Sequence, residues 1–146
     1  ISREAMAQDL MHADWWAQAQ AEGVLDIQSH GWDHRHPCLP PESGVLGHFF
    51  GVDDAATCAL QVERAAEEIG RVSGRRPDLF AYPYGQASDY LRREYLPQRA
   101  AEHGFRAAVG TVPEHAHIAS DRWYLPRYIH VENWKSPAEL EALLRD

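Results

Sequence analysis

The chain of 146 residues has the size of one domain, and a hydrophobic content of 45% is enough for a buried core. Lys and Arg number 14 against 22 Asp and Glu, so the formal net charge of −8 argues against nucleic acid as a partner and favours a neutral or cationic ligand. No apolar run approaches the ~20 residues that a membrane helix requires. We therefore expect residues 1–146 to form a single domain, or a piece of one, without a membrane span.

The first part of the chain predicts a helix followed by a strand. Strong helix formers with one apolar face extend from Ser2, a suitable N-cap, to Ala21, and Gly23 follows the predicted end. The apolar run at residues 24–28 then predicts a buried strand. In α/β folds the loops that leave the carboxyl ends of strands carry ligand and catalytic groups, so the residues that follow are in a functional position.

Three histidines, His30, His34 and His36, lie within seven residues directly after this strand. Imidazole is the commonest side-chain ligand for zinc and related metals, and His30 and His34 would share one face if the segment formed a helical turn. With nine histidines in the chain, such a pair also arises by chance. Its place after a strand favours the interpretation that His30 and His34 are metal ligands.

A loop and a helix are expected next. Proline and glycine are dense over residues 37–51, which predicts a loop whose His48, Phe49 and Phe50 either contact a ligand or pin the loop to the core. Asp53 is predicted to cap a helix that extends to about Ser73. Its predicted apolar face contains Ala55, Ala59, Leu60, Val62, Ala66 and Ile69. Cys38 and Cys58 are isolated, so no zinc ribbon, redox motif or disulfide scaffold is indicated.

A second strand is predicted over residues 78–82, and it continues directly into Tyr82-Pro83-Tyr84-Gly85. Pro83 stiffens the backbone, and Gly85 permits a turn that most residues resist. Tyr84 would therefore be held at the carboxyl end of the strand, where its main-chain amide could stabilise an oxyanion.

The order of these motifs, Ser29-His30-Gly31-Trp32-Asp33-His34, a helix and then Leu79 to Gly85, resembles the polysaccharide deacetylase family, also called carbohydrate esterase family 4. The resemblance implies that His30 and His34 bind a divalent metal, most often Zn, with Co or Ni as alternatives. It also implies that the main-chain amide of Tyr84 helps to hold the oxyanion, as in bacterial exopolysaccharide deacetylases.

The chain departs from the family pattern at three places. Gly31 stands where the family has a Ser or Thr that braces the loop, and Ala81 stands where many members carry an Arg that orients the catalytic Asp. The Thr-Phe-Asp-Asp motif, which supplies the general base and the third metal ligand, is absent from these residues. Either the sequence omits an N-terminal segment, or the domain has lost its chemistry.

Beyond the corner, Ser88 is predicted to cap a helix over residues 89–103 that is interrupted at Pro97, and residues 105–109 predict another strand. The polar loop at residues 112–122 carries His115 and His117, which are either ligands or part of a solvated loop. A strand is predicted over residues 123–131, and Ser136 is predicted to cap a final helix that buries Leu140, Leu143 and Leu144.

Two further site residues follow from the resemblance to the family. Leu125-Pro126-Arg127 resembles a late strand from which Arg127 would point into the active site. His130 is the nearest candidate for the general acid, although the residues around it match the family poorly.

Alternating strands and helices predict an α/β fold with a parallel sheet. The resemblance implies an irregular (β/α) barrel that lacks its N-terminal strand or strands. Such a barrel has open edges, which an N-terminal segment, another chain or a second copy in a homo-oligomer would have to cover.

These inferences lead to one main functional hypothesis and two rivals. The main hypothesis is metal-dependent removal of N-acetyl groups, or less favourably O-acetyl groups, from a bacterial surface or extracellular polysaccharide. The rivals are a catalytically inactive polysaccharide-binding domain and a metal-free hydrolase of a small ureide or imide. The sequence leaves the compartment open between the cytoplasm and the cell envelope of a bacterium.

Overall fold

The computed structural model describes residues 14–34 and 47–145 of the chain. Short 3-10 turns occur at Phe49–Gly51 and Pro83–Gly85. The helices are α1 (Asp14–Ala21), α2 (Ala55–Cys58, Ala59–Arg64 and Ala65–Ser73), α3 (Leu91–Tyr95 and Leu96–Gln98), α4 (Ala100–His103) and α5 (Pro137–Leu143). Helix α2 is a continuous succession of three segments, the middle one with π-helical hydrogen bonding.

A small parallel sheet lies at the centre of the described residues. Strand β1 (Leu79–Ala81) pairs in parallel with β2 (Ala107–Val109), with Phe80 opposite Ala108. Parallel bridges extend the pairing on both sides, from Ser29 to Phe80 and from Val109 to Leu125. The strands predicted over residues 78–82 and 105–109 are thus confirmed, and four segments of the chain lie side by side in sequence order.

The other two predicted strands were wrong. Val24 and Leu25 are exposed, and the predicted strand at residues 24–28 contributes only the bridge at the neighbouring Ser29. A side chain fastens this segment to the sheet: Gln28 Oε1 accepts hydrogen bonds from the main-chain amides of Asp78 and Leu79, at 3.0 and 2.8 Å. The segment at residues 123–131 likewise forms turns with isolated bridges at Leu125 and His130.

The α/β class is confirmed, whereas the irregular (β/α) barrel that the resemblance implies is not seen in residues 14–34 and 47–145. The described part is a set of helices around a small parallel sheet, because its strands are only three residues long and pair over one short register. Within the same residues, no helix has the length and apolarity that crossing a membrane requires.

Aromatic side chains form the centre of the core. Phe80 is fully buried, and its ring lies 5.3 Å from that of Tyr82, 5.7 Å from that of Phe105 and 6.1 Å from that of Phe49. Burial of such rings is the largest source of stability in a small core. The core therefore contacts β1 directly and holds the strand whose end carries the Tyr-Pro-Tyr-Gly corner.

Helix boundaries followed the capping rules with one correction. Asp54, not Asp53, caps α2, since its carboxylate accepts from the amides of Ala56 and Thr57. Ser88 accepts from the amide of Leu91, and Ser136 accepts from the amide of Glu139, as predicted. Leu60 and Leu144, which were predicted to face the core, show substantial exposure, as does Trp15 on α1.

His103, the last residue of α4, is fully buried and held in one tautomer. Its Nδ1 accepts from the amide of Phe105 at 2.9 Å, so Nε2 carries the proton and donates to the carbonyl of Leu96 at 3.0 Å. Burial lowers the pKa of His103, although the hydrogen bond to Leu96 opposes the change. Protonation of Nδ1 would place two N–H groups against each other, so the folded state favours neutral imidazole.

We expect stability to fall as the pH drops below about 6.5, the ordinary pKa of histidine. The unfolded chain then binds a proton at His103 that the folded chain resists, and each unit by which folding lowers the pKa costs about 1.4 kcal/mol at low pH. Thermal melts of the wild type and of His103→Asn between pH 8 and pH 5 would measure this. His103→Asn should have a lower melting temperature than the wild type at pH 8. Its melting temperature should fall less than that of the wild type between pH 8 and pH 5.

His115→Asn is the matched control, because His115 lies in an exposed loop. It should keep the pH dependence of the wild type. If His103→Asn showed the same pH dependence of stability as the wild type, His103 would not be the group responsible for the loss of stability at low pH.

Candidate functional site

The predicted metal ligands and the corner residue lie together at the carboxyl ends of neighbouring parallel segments. The ring of His30 lies 4.8 Å from the ring of His34, measured between centroids. The ring of His34 lies 4.9 Å from the ring of Tyr84 in an edge-on contact. The structure thus brings together three residues that the sequence separates by up to 54 positions.

A hydrogen bond fixes the tautomer of His30. Its Nδ1 lies 2.7 Å from the carbonyl oxygen of Ala81, the last residue of β1. Because a carbonyl only accepts, Nδ1 carries the proton, and Nε2 has the lone pair that a metal requires. Metal-binding histidines are typically anchored in this way through their second nitrogen.

The electrostatic surroundings of His30 favour its neutral form. Desolvation by the surrounding protein lowers the pKa of the imidazole, and the hydrogen bond to Ala81 opposes this change. Electrostatic interactions with His34 and Arg127 lower the pKa of His30 further. A neutral imidazole is the form that binds a metal.

The two histidines do not meet by way of a helical turn, so that part of the prediction was wrong. Residues 31–34 form a bend, with Gly31 at φ 87° and His34 at φ 46°. Both values lie in the left-handed region, which a residue with a side chain adopts only at a cost of about 1–2 kcal/mol. The loop reverses locally, and this reversal turns the His34 ring toward His30 and Tyr84.

A residue that sequence analysis did not single out holds this loop. Gln61, on the π-helical segment of α2, is fully buried. Its Oε1 accepts from the amide of Trp32 at 2.9 Å, and its Nε2 donates to the carboxylate of Asp33 at 2.8 Å. A buried amide among apolar helix positions is the feature that could have drawn attention to it.

The Tyr-Pro-Tyr-Gly corner is a tight turn with two left-handed residues, Tyr84 at φ 54° and Gly85 at φ 67°. The hydroxyl of Tyr124 donates to the carbonyl of Gly85. The side-chain oxygen of Gln86 accepts from the amide of Phe49 at 2.8 Å, which joins the corner to the loop before α2. The corner is therefore held from two sides, as the rigid presentation of Tyr84 requires.

Arg127 lies close enough to His30 for its charge to lower the pKa of that imidazole. Its main-chain amide donates to the carbonyl of Val112 at 2.9 Å. Its side-chain Nε is buried, and no acceptor for it occurs in the part of the chain that the structure describes. A buried, charged N–H group without an acceptor is costly, so the position is suited to an acidic group supplied from elsewhere.

His130 and the loop histidines make other contacts. The ring of His130 lies 4.4 Å from that of Trp134 in a tilted contact, and the ring of His115 lies 5.5 Å from that of Tyr128. His117 lies in an exposed loop. The role predicted for His130 stays a prediction, because its observed ring contact does not link it to His30 and His34.

The loop at residues 47–51 has one side chain buried in the core and others that face outward. Phe49 is fully buried against the core, whereas the side chain of Phe50 is 56% exposed. His48 lies beside the corner, where its Nδ1 accepts from Gln86 at 3.4 Å. Phe49 therefore pins the loop, and His48 and Phe50 face outward next to the site.

Two imidazole side chains in the site are suited to bind a divalent metal. His30 and His34 are close together, and the free Nε2 of His30 suits Zn, Co or Ni. Among residues 14–34 and 47–145, no group of three His, Cys, Asp or Glu side chains is placed to hold an ion. A third ligand would have to come from outside these ranges, and His36 and Cys38 also lie outside them.

Comparison with known proteins decides the family. The sequence model described as polysaccharide deacetylase matches residues 7–108, well over half of the chain. The chain belongs to the polysaccharide deacetylase family. No curated protein sequence matches it. The family match contains His30, His34 and Tyr84, whereas Arg127 and His130 lie beyond it.

A solved structure supports the fold of this deacetylase-family chain. The de-N-acetylase from Aggregatibacter actinomycetemcomitans aligns with a TM-score of 0.56 and 18% sequence identity. The alignment covers 88% of this chain and 52% of the neighbour, so the chain spans about half of the neighbour's length. At this identity the likeness concerns the fold alone.

Gly85→Ala should destabilise the protein and displace Tyr84. A Cβ at Gly85 would lie 2.8 Å from the Cβ of Thr111, and the residue would keep a positive φ. We expect a loss of about 1–2 kcal/mol from the left-handed backbone and about 1–3 kcal/mol more from the collision. Urea denaturation would measure the change in the free energy of unfolding.

Gly74→Ala is the matched control, because Gly74 has φ 78° but no atom within 4 Å of the added Cβ. Gly74→Ala should lose only the ~1–2 kcal/mol that the left-handed backbone costs, because its added Cβ meets no neighbouring atom. Equal losses in the two variants would show that the contact between the corner and Thr111 is not tight.

Proposed function

We propose that this chain carries part of the active site of a metal-dependent deacetylase that removes N-acetyl groups from a bacterial surface or extracellular polysaccharide. O-acetyl groups are a less favoured substrate. The observation that carries the proposal is the cluster of His30, His34 and Tyr84, in which the Ala81 carbonyl holds His30 with Nε2 available. Family membership and a neighbour named as a de-N-acetylase support the same reaction.

His30 and His34 would supply two ligands for a divalent ion, Zn in the first place and Co or Ni as alternatives. When bound, the ion would polarise the acetyl carbonyl and lower the pKa of water, as divalent ions do in hydrolases. The third ligand and the general base would be carboxylates from outside the described residues. The buried Nε of Arg127 is suited to hold one such carboxylate in place.

Tyr84 would act through its backbone. The turn at Pro83–Gly85 would hold the main-chain amide of Tyr84 beside the site, and an amide held in this way would stabilise the developing oxyanion without reorganisation. The exposed Tyr84 ring, in contact with His34, would contribute a wall for the acetyl group.

The leaving amine requires a proton, and we propose a histidine as its donor, with His130 as the candidate in this chain. The products would be acetate and a cationic amino sugar, which is compatible with the net charge of −8. A polysaccharide would be the main partner, and a second copy of the chain would be one way to cover open edges of the sheet. Residues 1–146 would form a single, partial deacetylase domain.

His30→Ala and His34→Ala should each abolish metal-dependent acetate release. Each removes one of the two imidazoles, and loss of a ligand weakens metal binding by orders of magnitude. Metal content of the purified full-length gene product and acetate release from an N-acetylated oligosaccharide would be measured together. His115→Ala is the control, since His115 contacts Tyr128 and not the cluster.

The outcomes separate the three functional hypotheses. Bound metal with acetate release that both variants lose supports the deacetylase. Bound metal and oligosaccharide binding without turnover would instead indicate the inactive polysaccharide-binding domain. Hydrolysis of a ureide or imide by protein that binds no metal would indicate the metal-free hydrolase.

A further inference from the structure

The loop that carries His34 is attached to α2 through one side chain. Gln61 is fully buried, and both ends of its amide are used: Oε1 accepts from Trp32 N at 2.9 Å, and Nε2 donates to Asp33 Oδ1 at 2.8 Å. The amide orientation follows from its partners, because a main-chain N–H only donates and a carboxylate only accepts. Gln61 therefore contacts the two residues between Gly31 and His34 that connect the left-handed positions.

The conformation of this loop needs such support. His34 is one of three residues other than glycine with a positive φ in the described chain, and its value of 46° is disfavoured for a side-chain-bearing residue. Gly31 stands at the position where the family has a hydroxyl, and it cannot brace the loop. A Cβ at Gly31 would lie 3.1 Å from Gln61 Oε1, so the small residue leaves room for the Gln61 amide to reach the backbone.

We propose that Gln61 is a positioning residue that holds residues 31–34 in the conformation that turns His34 toward His30 and Tyr84. Gln61 lies on the buried face of α2, where Cys58, Val62 and Ala65 are its buried neighbours at helical spacing. The consequence for metal binding rests on the proposed function, whereas the consequence for the loop does not.

Exchanging the amide of Gln61 and the carboxylate of Asp33 between the two positions tests this contact. Gln61→Glu places a second carboxylate against Asp33 and removes the donor, so it should open the loop. Asp33→Asn keeps an acceptor for Gln61 and should have a smaller effect. The double variant Gln61→Glu with Asp33→Asn reverses donor and acceptor, retains the same net charge, and should restore the contact.

Two readouts are needed on the full-length gene product. In metal-free protein, amide hydrogen exchange at Trp32 reports whether its N–H is held. In a zinc titration, the dissociation constant reports whether His34 is in place. We expect faster Trp32 exchange and about 10–100-fold weaker zinc binding in Gln61→Glu, the range found when partners that orient metal ligands are removed. The double variant should recover most of both losses.

Thermal melts of all three variants separate positioning from general stability. Recovery of exchange protection and zinc affinity in the double variant supports the proposal, even if its melting temperature stays below that of the wild type. The proposal is overturned if Gln61→Glu leaves both readouts unchanged, or if the double variant recovers neither. Zinc binding absent in the wild type, with exchange behaving as expected, would count against the proposed function and leave the role of Gln61 in the loop supported.

Discussion

The site depends on the attachment of the histidine loop to strand β1. Ser29 pairs with this strand through two main-chain hydrogen bonds, from its amide to Leu79 O at 3.2 Å and from Ala81 N to its carbonyl at 2.8 Å. His30 adds a third bond through Nδ1 to Ala81 O at 2.7 Å. These bonds fix the register between the two motifs, and a slip of one residue would turn the His30 side chain to the other face. The chemistry at His30 is therefore set by strand pairing.

The aromatic core anchors strand β1, to which the histidine loop is attached. Phe80, in the middle of β1, lies within the aromatic cluster, and Tyr82 follows it with a buried ring whose hydroxyl donates to Trp123 O at 2.7 Å. The corner at Pro83–Gly85 leaves the core from this anchored strand. Tyr84 thus has a rigid base, although its own side chain is partly exposed.

The sequence was sufficient for the parts of the site that local rules control. Proline and glycine around Tyr84 predicted the observed turn, and the β-strand pattern predicted β1 and β2. The ligand role of His30 and His34 stays a prediction. The strand predicted at residues 24–28 failed, because its pairing with β1 is carried by the side chain of Gln28 and not by a backbone ladder. The way in which His34 approaches His30 depends on a left-handed backbone, which sequence spacing does not encode.

Gln61 shows why side-chain polarity misled the prediction of the core face of α2. The buried positions of this helix keep regular helical spacing, but one of them is a polar residue, and the apolar Leu60 was assigned to the core in its place. Leu60 is 39% exposed and Gln61 fully buried.

The proposed function requires that His30 and His34 bind one ion in front of the Tyr84 corner. Crystals of the full-length gene product soaked in zinc, with diffraction data collected on both sides of the zinc absorption edge, would test it most directly. We expect an anomalous peak bonded to Nε2 of His30 and to a ring nitrogen of His34. A peak bonded only to other side chains, or no peak while the two rings keep their contact, would contradict it.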